Sequence, residues 1–126
     1  MNTNDTLGRQ RYVLLETRKR DGTWVGTPVS IAEAGGRLYF RTYDAAGKSK
    51  RLRNFPDCRV TPSTLRGRPV GEPVAGTATL VSGAEAERAG AALAAKHPVL
   101  HGWLVPWSHR VKGWATLHYE FRPDRP

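Results

Sequence analysis

The chain carries one cysteine, Cys58, among 126 residues, which excludes an intrachain disulfide and with it the framework of a small stapled scaffold. Long apolar runs are missing as well. Nothing approaches the roughly 18 consecutive apolar residues that a membrane-spanning helix needs. The opening stretch MNTNDTLGRQR has no apolar core of a secretory signal, so a cytoplasmic protein without a membrane span is the expectation. Acidic residues are scarce, eleven against twenty basic ones, for a formal charge of +9. That deficit predicts anionic partners: phosphate, polycarboxylate, nucleic acid or an acidic surface. Also absent are a G-x-S-x-G elbow, an acidic dyad and a cysteine-centred motif. No catalytic residue is therefore assigned. If the chain is an enzyme, a cofactor carries the chemistry while the protein binds and orients it.

What is present is largely β. Residues Tyr12–Arg18, Trp24–Ala32 and Arg37–Thr42 read as three strands, separated by the turn signals Asp21-Gly22 and Gly35-Gly36. Pro28 inside the second strand has no N–H to give, which marks an edge, a bulge or backbone left free for a ligand. After Gly47 the pattern changes: Leu52 and Phe55 stand three apart among cations, and Pro56 ends the segment. This predicts a short helix, apolar inside and basic outside. CRVTPST and VAGTATLVS supply two more strands, Ser82 and Glu85 form a capping box for a helix over Ala84–Lys96, and KGWATLHYEFRP closes as a sixth strand. Helices do not alternate with strands. The fold class is therefore α+β, mainly antiparallel β, in a small barrel. One domain over residues 10–126, after an N-terminal extension at 1–9, accounts for the chain.

The run Lys48, Lys50, Arg51 and Arg53 is either the solvated face of a short helix or an anion site. Thr42 ends a strand six residues before Lys48, so a hydroxyl, an ammonium and the backbone N–H groups of a helix start can meet one phosphate. A single-strand nucleic-acid groove wants interleaved aromatics; only Tyr43 and Phe55 are near, Phe55 reads as core, and no nucleic-acid partner is expected. His97 and His101 stand four apart but flank Pro98, with no third ligand at metal spacing, so no metal site is assigned. His109 and His118 are isolated. Trp103, Trp107 and Trp114 in HGWLVPWSHRVKGW read as a dimer interface, a core cover, or a wall over a flat ring.

These residues also carry a resemblance. YVLLETRKRDGTWVGTPVSIAEAGGRLYFRTYDAAGKSKRLRNFPDCRVT, then GRPVGEPVAGTATLV and AEAERAGAALAAKHP, resemble the split-barrel superfamily that includes pyridoxamine 5′-phosphate oxidases. Within it they are most similar to the actinobacterial branch that uses coenzyme F420, a 5-deazaflavin. The resemblance spans roughly residues 10–123. It implies a six-stranded split barrel with a few short helices, working as a homodimer with cofactor in grooves at the subunit interface. It places the ring edge along Thr27, Pro28, Val29 and Ser30, and the phosphate on Arg41, Thr42 and Lys48, with Lys50 and Arg51 close behind. The activity implied is hydride transfer between the deazaflavin C5 and an unsaturated small-molecule substrate. FMN-dependent oxidase or reductase chemistry and a non-catalytic cofactor-binding or storage protein are the alternatives.

Overall fold

The computed structural model describes residues 3–43, 47–96 and 116–124. Its elements, in chain order, are α1 (Thr3–Gly8), β1 (Tyr12–Arg18), β2 (Trp24–Ala34), β3 (Arg37–Tyr43), α2 (Gly47–Asn54), β4 (Asp57–Ser63), β5 (Val74–Val81), α3 (Gly83–Lys96) and β6 (Thr116–Pro123). The strands close into a six-stranded antiparallel barrel in the order β1-β2-β3-β6-β5-β4. The α+β barrel expected from the sequence is the fold observed.

Strand alternation builds the interior. In β1, Val13, Leu15 and Thr17 are buried and their neighbours only partly so; the same period brings Val29 and Ile31, Leu38 and Phe40, Val60, Ala78, Tyr119 and Phe121 into one core. Phe40 and Tyr119, directly paired across β3 and β6, stack with centroids 5.3 Å apart. The β2–β3 turn is made by Gly35 and Gly36, both at positive φ (60° and 79°). That is the backbone a two-residue hairpin of primed type requires, and glycine adopts it without a Cβ clash.

β2 changes partner midway. Residues 24–30 pair with β1, whereas the ladder to β3 covers only Ile31–Ala34. Beyond Ile31 and Phe40 the two strands part, and α2 packs against β1 and β3 at that end. This parting is the split in the barrel. Pro28 falls within the stretch laddered to β1 alone, which is where a missing N–H costs no second ladder.

Three local expectations shift, at Phe55, Glu85 and Leu7. Phe55 lies just past α2 and is half-buried rather than core, because Ser49 and Leu52 are the residues α2 turns inward. Glu85 sends its carboxylate to Tyr39 Oη (2.8 Å) and Arg37 (3.0 Å) instead of back to the cap of α3, tying the helix to β3. The sixth strand is observed over Thr116–Pro123; the part of its expected span before residue 116 lies outside the described residues. Leu7 of α1 is fully buried in the core, so the segment before residue 10 packs on the barrel. At the opposite end of α3, Lys96 Nζ donates to the backbone carbonyls of Gly8, Gln10 and Ile31, fastening α3 to α1 and β2.

Candidate functional site

The split brings two buried hydroxyls to the inner face of the barrel. Thr27 shares its face of β2 with Val29 and Ile31, and Thr42 shares its face of β3 with Leu38 and Phe40. Ile31 opposes Phe40, so Thr42 lies two residues farther along β3, where β2 has moved away. Thr42 is 2% exposed. Among the described residues, neither its Oγ1 nor that of Thr27 meets a hydrogen-bond partner. A buried hydroxyl left unsatisfied costs about 1–3 kcal/mol, a cost that a bound acceptor or donor at the split removes.

Lys48, in the first turn of α2, adds the charge. It is half-buried, and among the described residues no carboxylate stands within ion-pair distance of it. Burial, and then the neighbouring Arg51 guanidinium, push its pKa below the usual lysine value. A partly desolvated ammonium beside another cation gains from an anionic partner.

The remaining expected residues divide among three surroundings. Val29 and Ser30 are buried and Pro28 is exposed, on the free side of β2. Arg41 points to the outer face of β3, opposite in direction to Thr42, where its Nε donates to His118 Nε2 at 3.4 Å under α3. Gly90 makes room for that pair: a Cβ there would stand 3.3 Å from His118 Nε2 and 3.8 Å from an Arg41 nitrogen. Arg51 Nε donates to Thr17 Oγ1 at 2.6 Å, and Lys50 is exposed. Sequence reading overlooked Thr17, whose hydroxyl sits fully buried at a β1 position that alternation alone would give to an apolar residue. It also set Arg41 and Thr42 on one phosphate, although neighbours in a strand face opposite ways.

Cys58 is packed in the core, and burial pushes its thiol up to about 12. Among the described residues no three His, Cys, Asp or Glu side chains converge. His97, His101, His109 and Trp103, Trp107 and Trp114 lie outside the described residues. No described helix is long and apolar enough to cross a membrane.

No family model and no curated protein matches the chain. Solved structures do. A conserved hypothetical protein of Mycobacterium tuberculosis superposes with a TM-score of 0.71 at 19% identity, covering 99% of this chain and 82% of that one. A Listeria innocua protein provisionally named a pyridoxamine 5′-phosphate oxidase gives 0.61 at 15%, covering 98% and 95%. The heme storage protein HutZ of Vibrio cholerae gives 0.70 at 9%, covering 97% and 87%. What these proteins share with this chain at such identities is the architecture, and the chain has the fold of the pyridoxamine 5′-phosphate oxidase-like split barrels.

Proposed function

We propose that the chain binds a flat, phosphate-bearing redox cofactor along the free side of β2 and works as a reductase dependent on the deazaflavin coenzyme F420. In this reading hydride passes between the cofactor C5 and an unsaturated organic substrate. The observation that carries it is the buried hydroxyl of Thr42, without a hydrogen-bond partner among the described residues, six residues before Lys48, a half-buried ammonium with no ion pair among them. Helix start, strand end and cation are the parts from which phosphate sites are built.

The deazaflavin supplies the hydride chemistry when bound. The protein's part is to hold and position. Lys48 and Thr42 take the phosphate, the backbone of Thr27–Ser30 meets the polar edge of the ring, and the apolar core behind Val29 and Ile31 keeps water from that edge. Arg41, held by His118, lies one residue from Thr42 and adds positive potential from the outer face. A homodimer with cofactor at the subunit interface completes the proposal. The excess of basic over acidic residues suits a coenzyme with more negative charge than one phosphate.

Fluorescence titration of the purified chain with the deazaflavin coenzyme, and in parallel with FMN, tests this. Preference for the deazaflavin is expected. Lys48→Ala should weaken it by about 1.5–3 kcal/mol, the scale of a hydrogen bond to a charged group, with the far-UV spectrum unchanged. Preference for FMN moves the chemistry to the flavin alternative. Tight binding without turnover on any acceptor makes the chain a carrier. Binding of neither ring sinks the proposal.

A further inference from the structure

A second concentration of charge lies beside α2 and is not needed for a cofactor phosphate at Thr42 and Lys48. A cleft of about 220 Å³ opens between the β1–β2 hairpin and the helix. Arg18, Lys19 and Arg20 line it from the hairpin, Lys50 and Arg51 from the helix. Two basic runs that are far apart in sequence thus share one concavity. No acidic side chain belongs to its lining. Of the nearby acids, Asp57 stands outside the lining and reaches Arg18 at 4.0 Å, both side chains largely exposed, and Asp21 accepts from the backbone and hydroxyl of Thr23.

Two of the five cations are held in place before any ligand arrives. The Arg51 guanidinium is anchored through its Nε to the buried Thr17 hydroxyl at 2.6 Å. It also folds back over the start of α2, where a Cβ on Gly47 would come within 2.9 Å of its Nη1. The Arg18 guanidinium lies over two rings, 5.6 Å from the Trp24 centroid and 5.8 Å from that of Phe55. Fixed, mutually repelling cations in a concave site favour a multiply charged anion, and preorganised guanidinium forks match oxyanions bidentately. The charge is dense for so small a volume. Adjacent phosphates are joined through one bridging oxygen and each carries charge on its own oxygens, whereas carboxylates along a flexible chain are separated by several bonds, so density favours phosphate.

We propose that this cleft is an oligophosphate site, separate from the cofactor site, and takes the di- or triphosphate group of a small ligand, either free or borne by a nucleotide. The inference assigns Lys50 and Arg51 to this cleft rather than to the cofactor, and it stands whichever ring β2 faces.

Calorimetric titration of the full chain with inorganic tripolyphosphate, and separately with adenosine triphosphate, both without divalent metal, tests it. One-to-one binding is expected. The exposed pair Lys19→Ala/Arg20→Ala should weaken it at least about tenfold, since two charge-assisted contacts are lost, while leaving cofactor affinity unchanged. Lys48→Ala should do the reverse. Equal affinity for the two probes means the phosphate chain alone is read; tighter nucleotide binding means that Phe55 also meets the base, and both support the site. If Lys48→Ala weakens tripolyphosphate as much as the double variant does, the anion is entering the cofactor site and the proposal fails. Stoichiometry above one, or tighter binding of a single-stranded oligonucleotide than of tripolyphosphate, overturns it as well.

Discussion

Thr42 buries a hydroxyl that no described residue hydrogen-bonds. Thr42→Val keeps the shape and removes the polar group. The ligand-free protein should then gain about 1 kcal/mol of stability, seen as a higher melting temperature, while cofactor binding weakens. A variant that melts lower, with cofactor affinity intact, would make Thr42 a packing residue only. Cys58 gives the pH counterpart. Burial raises its thiol from an ordinary value of 9.0 to about 12, so the folded state favours the protonated form. Its contribution to stability is therefore complete below pH 9 and is lost as pH rises through about 12. At pH 8 a thiol reagent should label Cys58 only as fast as the chain unfolds; rapid labelling of the native protein would contradict its burial. Both positions are readable as residue types in the sequence. The missing partner of Thr42 is not, because whether a hydroxyl is satisfied depends on which strands meet around it.

Among the elements, the tightest constraint is at Gly76, where β5 runs beside β6. A Cβ there would sit 2.3 Å from the Arg122 carbonyl oxygen and 2.8 Å from the Phe121 ring. The first obstacle is backbone and cannot rotate away. Gly76→Ala should cost about 1–3 kcal/mol, measured by denaturant unfolding, and an unaffected midpoint would mean the strands separate there freely. The barrel strands were legible in advance through alternation and turn residues: β1 begins at Tyr12 and ends at Arg18 as its pattern requires. α2 was legible less completely. Its polar length and ending at Pro56 follow from composition, but the sequence offered Phe55 as its inner anchor where the fold uses Ser49. A helix of two turns has too few apolar positions to fix its own rotation, so the barrel end fixes it.

On the scale of the whole molecule, sedimentation of the ligand-free chain should give twice the 14.0 kDa of one copy. A stable monomer that still binds the deazaflavin would place the entire cofactor site within a single chain. The sequence by itself determined the β-rich class, the hairpin turns, the excess of positive charge and the residue types of the proposed phosphate site, because each depends on neighbours within a few positions or on composition. Only the tertiary structure decided which side each cation serves. It sets Arg41 against His118, brings the hairpin cations Arg18–Arg20 to the Lys50 and Arg51 of a distant helix, and draws Leu7 into the core. Those outcomes, like the parting of β2 from β3, join segments far apart in the chain. Strand parting is set by closure of the whole barrel, a contact between residues far apart in the chain that no local pattern records.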